Sequence, residues 1–147
     1  DCDNHQIQIF GFDGSFISKF GSKGKGNGQF DKPSGVARDS KGNIYVTELE
    51  NHRVQVFDSQ GTFLTKFGTQ GSRDGEFDHP RSIFIDDKDN IYISEYKNAR
   101  IQMFSTTYGY WMRKKEIGFV VTNFWKRKDS QVYLFCLSTF CLLSSLI

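Results

Sequence analysis

Apolar and polar residues alternate along most of this chain in short runs, and Gly, Asn, Asp or Ser sit between the runs. "NIYVTE" (43–48), "RVQVF" (53–57) and "TFLTKF" (62–67) are rich in β-branched and aromatic side chains. Such runs predict strands rather than helices. In a strand, Val54 and Val56 point to one face, and Gln55 and Phe57 to the other. Asp58-Ser59-Gln60-Gly61 predicts a hairpin turn in which the glycine supplies a positive φ.

The pattern repeats at an offset of about 47 residues. Asn4-His5 meets Asn51-His52 and then Asn98-Ala99, and Phe10 meets Phe57 and Phe104. Gly14, Phe16, Lys19, Phe20 and Gly21 meet Gly61, Phe63, Lys66, Phe67 and Gly68. Phe30, Asp31 and Pro33 meet Phe77, Asp78 and Pro80, while Asn43-Ile44-Tyr45 meets Asn90-Ile91-Tyr92. Four short strands in each unit of this length are the signature of a propeller blade. A helical repeat of similar period requires 3.6-residue periodicity and long Ala/Leu-rich stretches, and this sequence has neither. The expected fold is all-β: an incomplete β-propeller of four-stranded antiparallel blades, with an off-repeat C-terminal tail.

The 147 residues suffice for one ordinary domain. A net charge of +2 excludes a uniformly basic nucleic-acid binder. Residues 1–107 carry 13 Lys/Arg against 15 Asp/Glu, so the basic excess lies beyond them, in 108–128. Cys2, Cys136 and Cys141 make no closed disulfide framework and no CxxC spacing, and no Asn-x-Ser/Thr acceptor is present. A reduced, cytoplasmic setting is expected. With no initiator Met, the chain reads as a piece of a longer protein.

"NHRVQVF", "GTFLTKFGTQGSRDGEF", "HPRSIFIDDKDNIYISE" and "NARIQMF" together resemble NHL repeats over about residues 3–107. The resemblance implies the outer half of one blade up to about Gly21, a complete blade over about Phe30–Phe67, and three strands of the next. It divides the chain into repeats at 1–107 and a tail at 108–147. The chain resembles the C-terminal region of tripartite-motif and RING-type NHL proteins. By that likeness the function is that of a non-catalytic, protein-binding propeller that recruits substrates for a RING-type E3 ubiquitin ligase. The RING itself would lie in the parent protein, since its Cys/His pattern is absent here. The alternative implied by the family is an RNA-binding propeller of a post-transcriptional regulator, taking a single strand or hairpin on the same face. Charge on the loop segments sums to only about +1, weak for a phosphate-binding surface.

Two groups of candidate residues emerge. Glu48 with Arg53, and Glu95 with Arg100, recur in each blade and read as in-blade structural pairs. Lys32, Arg81, Tyr96 and Lys97 fall in loops on the face where propellers commonly bind, and are the expected contact residues. His5 and His52 are repeat-equivalent. Their third copy is Ala99, and neither a carboxylate nor a Cys completes a metal shell by spacing. His79 reads as a loop residue before Pro80. A lyase family with NHL-like blades uses bound metal, which keeps an enzyme reading in view. No Ser/His/Asp set appears, and "GSKGKGNGQF" lacks the Gly-Lys-Ser/Thr ending of a P-loop. The expectation is no enzyme, no cofactor and no metal.

The tail has no repeat register. Its apolar segment 131–147 follows the basic Lys126–Lys128 and has the length of a minimal membrane anchor. The same segment also reads as an off-register terminus or a packed strand. A membrane partner is expected only if 131–147 is a real anchor.

Overall fold

A computed structural model describes residues 1–105 and the backbone of 112–114. Among them there is no helix. Twelve strands follow in order: β1 (Ile7–Phe10), β2 (Phe16–Phe20), β3 (Ser22–Lys23), β4 (Gln29–Phe30), β5 (Pro33–Arg38), β6 (Ile44–Glu48), β7 (Arg53–Phe57), β8 (Phe63–Phe67), β9 (Pro80–Ile85), β10 (Ile91–Glu95), β11 (Arg100–Ser105) and β12 (Met112–Lys114). β1–β2 form an antiparallel pair, the outer half of a blade. β5-β6-β7-β8 and β9-β10-β11-β12 are four-stranded antiparallel sheets joined in sequence order. The first is the complete blade that the repeat predicts; the second corrects the expectation of three strands, because β12, from the off-repeat segment, pairs with β11 as a fourth. The blades lean on each other through β5, β6 and β9. β12 pairs Phe104 with Arg113, two residues away from the register at which Gln55 meets Lys66 in the preceding blade.

The turns follow from local chemistry. Between β7 and β8, the Asp58 carboxylate accepts the backbone N–H groups of Gln60 (2.9 Å) and Thr62 (2.8 Å), and Gly61 takes φ 86°. Between β5 and β6, Asp39 likewise accepts from Lys41 and Asn43, with Gly42 at φ 90°. In the next blade Asp89 takes that left-handed position at φ 58°. Its carboxylate reaches the neighbouring blade, accepting from the Ser40 N–H at 2.8 Å and hydroxyl at 2.6 Å. These bonds hold the Asp89 carboxyl below its usual range and offset the strain of a non-glycine there.

The core lies between blades. β6 and β7 are buried along their whole lengths, because a blade covers each of their faces. Ile44, Val46 and Phe57 pack toward β1–β2, with Phe30 among them. Tyr45, Val54 and Val56 pack the other way, against Phe77, Ile91, Ile93 and Phe104. Each junction carries the same aromatic triad. Phe20, Phe30 and Phe57 lie with ring centroids 4.8–6.2 Å apart, and Phe67, Phe77 and Phe104 with centroids 5.4–6.1 Å apart. The middle member of each comes from the linker joining two blades. The linker ring sits directly over a glycine: a Cβ on Gly21 would lie 2.5 Å from Phe30, and one on Gly68 would lie 2.3 Å from Phe77. Burial and the Asp39 carboxylate push the Tyr45 phenol up to about 12.

Phe77→Ala is therefore expected to destabilise the full chain by about 3–5 kcal/mol in chemical denaturation. Gly68→Ala should cost about 1–3 kcal/mol from the collision with that ring alone, on top of its left-handed φ of 94°. Gly75→Ala adds a Cβ that meets nothing within 4 Å at φ 77°. It should cost only about 1 kcal/mol.

Candidate functional site

The blade-to-blade linkers and the hairpins β6–β7 and β10–β11 share one end of the blades, and the turns β5–β6 and β7–β8 share the other. This follows from the antiparallel meander. On the linker end, each connection is held by one buried polar set. Arg53 Nε donates to Glu48 Oε1 at 2.6 Å, and its terminal nitrogens donate to the carbonyls of Lys25 (2.7 Å), Gly26 (2.9 Å) and Gln29 (3.0 Å). Asn51 bridges the Gly24 carbonyl (3.0 Å) and Glu48. Gln55 donates to the Gln29 carbonyl (2.7 Å) and to Glu48 (2.8 Å), and accepts from the Gly28 N–H (3.0 Å). The Asp31 N–H closes the set on Glu48 Oε2 at 3.1 Å.

The second junction repeats it with Glu95, Asn98, Arg100 and Gln102. Arg100 donates to Glu95 (2.6 Å) and to the carbonyls of Ser72, Arg73 and Glu76 at 2.6–2.9 Å. Glu48 and Glu95 are fully buried, and each has every lone pair directed at a donor. Among the described residues no buried side-chain nitrogen or oxygen lacks a partner. Glu48/Arg53 and Glu95/Arg100 thus join the second and third strands and also fasten the linker.

The four residues expected to touch a ligand stand on this end, all exposed. Lys32 pairs with Glu50 at 3.3 Å. Arg81, expected in a loop, is instead the second residue of β9, because the strand starts at Pro80, and its carbonyl accepts from the Thr47 hydroxyl at 3.2 Å. Tyr96 and Lys97 form the β10–β11 hairpin, with the Lys97 ammonium 5.8 Å from the Tyr96 ring centroid. The backbone docks that hairpin on the linker: Tyr96 N–H donates to the His79 carbonyl (3.1 Å) and Lys97 N–H to that of Asp78 (3.3 Å). Arg81, Tyr96 and Lys97 belong to the second junction, and Lys32 belongs to the first.

Sequence spacing missed a cluster at the second junction. His52, Asp78 and His79 bring candidate ligand atoms within 4.8 Å of one another. His52 Nδ1 lies 3.5 Å from Asp78 Oδ1, and His79 Nδ1 lies 2.7 Å from it. The two imidazoles meet edge to face at 4.8 Å. His79 is the loop residue that the sequence indicates, but the expectation that no carboxylate is placed beside His52 to join a metal shell is corrected. The clue available was the DHP triplet (78–80) standing where the preceding unit has DKP (31–33). Burial, then the neighbouring His79, lowers the His52 pKa below its ordinary value of 6.5. The folded chain then binds fewer protons than the unfolded one. The stability due to His52 is full above the ordinary histidine pKa and is lost as pH falls through the depressed one.

A family model described as a 6-bladed β-propeller matches residues 32–142. No curated protein matches the sequence. Solved structures similar to the chain include a streptogramin B lyase, at 17% identity and TM-score 0.57, covering 77% of this chain and 34% of that one. Another is virginiamycin B lyase from Staphylococcus aureus, at 15% identity and TM-score 0.55, covering 78% of this chain and 34% of the lyase. A third is a protein of unknown function from Bacteroides caccae, at 14% identity and TM-score 0.56, covering 76% of this chain and 38% of that one. The chain spans about a third of the length of these structures. The expectation that the chain is not an enzyme is corrected here, because enzymes stand among the proteins that share its fold. The reason is physical. A fold does not fix function, so the lack of a recognised catalytic motif along the sequence is no argument against chemistry at a site built from several blades.

Two measurements check this architecture. Arg53→Met should cost about 3–5 kcal/mol, since it strands a buried carboxylate, and Arg53→Met with Glu48→Met should recover part of that loss. An NMR titration should place the His52 midpoint below 6.5.

Proposed function

Because this chain belongs to the six-bladed β-propeller family, we propose that its linker end is a recognition surface for a cytoplasmic protein target, as the NHL resemblance implies for substrate-recruiting propellers of RING-type ubiquitin ligases. One observation carries the reading. The buried Glu-Asn-Arg-Gln sets consume the linker carbonyls, so the loop backbones are held rigid while Lys32, Arg81, Tyr96 and Lys97 project outward. Preorganised loops lose little entropy on binding. Tyr96 and Arg81 are of the residue types that protein interfaces favour. The nearly balanced charge of the loops supports a protein over a nucleic acid.

The test places a photo-crosslinking residue at Tyr96 in the full chain, and a second at Gln60 in the β7–β8 turn of the opposite end. Discrete protein adducts are expected from the Tyr96 probe and not from the Gln60 probe. Lys97→Glu with Arg81→Glu should weaken capture about tenfold while far-UV circular dichroism stays unchanged. Equal labelling from both ends would overturn the reading. Adducts that vanish with ribonuclease and weaken steeply with salt would replace it with an RNA-binding one.

A further inference from the structure

The two junctions share one backbone plan, and they differ at the residue before the linker proline, Lys32 in the first and His79 in the second. In the first, His5 Nδ1 accepts the Lys32 N–H at 3.2 Å and stands 3.9 Å from Asp31. In the second, His52 Nδ1 accepts the His79 N–H at 3.2 Å and stands 3.5 Å from Asp78. Lys32 and His79 adopt the same left-handed backbone, φ 51° and 56°. The histidine at 5 and 52 thus accepts a backbone N–H in both junctions, whereas the residue at 79, lysine in the first junction, is here an imidazole that bonds Asp78 at 2.7 Å and meets His52 edge to face. Its presence adds a second nitrogen donor beside an existing histidine and carboxylate.

We propose that His52, Asp78 and His79 form a binding site for a divalent first-row transition cation of the zinc class. Two imidazoles and one carboxylate are a borderline donor set, suited to Zn²⁺, Co²⁺ or Ni²⁺ rather than to Ca²⁺ or Mg²⁺. Tetrahedral zinc with bonds of about 2.0–2.1 Å separates its ligands by roughly 3.4 Å. The candidate ligand atoms lie within 4.8 Å of one another; an ion at His52 Nδ1 takes the lone pair that otherwise accepts the His79 N–H, and the 2.7 Å hydrogen bond from His79 to Asp78 opens to admit it. The side chains of His52, Asp78 and His79 keep 12%, 30% and 26% of their exposure, so an ion has access. Burial favours the neutral, metal-binding form of His52. Three protein ligands leave a fourth position for water or a bound molecule, the pattern of working rather than purely structural zinc sites. The Asp78 carbonyl also holds the Lys97 N–H, so the ion would stiffen the hairpin beside it.

Zinc titration calorimetry and Co²⁺ visible absorption on the full chain test the site. One Zn²⁺ per chain is expected, with tetrahedral Co²⁺ bands. His79→Lys copies the first junction and so preserves the backbone. It should weaken Zn²⁺ binding by more than about 100-fold, since even loss of an outer partner costs 10–100-fold. His5→Asn, which keeps a left-handed backbone available, should leave the affinity unchanged. No zinc binding by the folded chain would overturn the proposal, as would equal affinity in His79→Lys, which would place the ion elsewhere.

Discussion

Everything in this molecule depends on how one blade is fastened to the next. A four-stranded sheet of this size cannot bury its own faces, and the apolar residues of β6 and β7 are covered only because a neighbouring blade lies on each side. The linker is the fastener. Below, it drives Phe30 or Phe77 into the interblade core, against the triad partners contributed by the flanking strands. Above, its carbonyls are gripped by Arg53 or Arg100, each neutralised by a buried glutamate.

These two halves obey different physics. The aromatic wedge is non-directional and supplies burial, and the glycine beneath it allows the ring to approach the backbone. The guanidinium fork is directional, and all three of its nitrogens donate to fixed acceptors, so it specifies one linker path. A buried ion pair adds little net stability over a hydrophobic substitute, but a broken one is costly. The recurrence of the whole polar set in both junctions fits a role in holding geometry.

The same frame accounts for the departures from strict repetition. Asp89 occupies a glycine position and turns its strain into a bond with Ser40 of the adjacent blade. His79 occupies a lysine position and turns toward His52 and Asp78. In each case the repeated backbone tolerates the substitution, and the new side chain acts across the junction rather than within its own blade.

The sequence by itself determined the strands, their turns and the blade period, because alternation, Asp/Gly turn chemistry and the echo of about 47 residues are local properties that survive in one dimension. It also determined the Glu48–Arg53 and Glu95–Arg100 pairs, which sit opposite each other across a short hairpin. Only the tertiary structure decided what lies across a junction. The Phe20–Phe30–Phe57 triad, the grip of Arg53 on linker carbonyls some 27 residues away, and the meeting of His52 with Asp78 and His79 depend on how two blades stack. Spacing along the chain carries no trace of an angle between sheets, so those contacts, and the chemistry they permit, became visible only once the blades were in place.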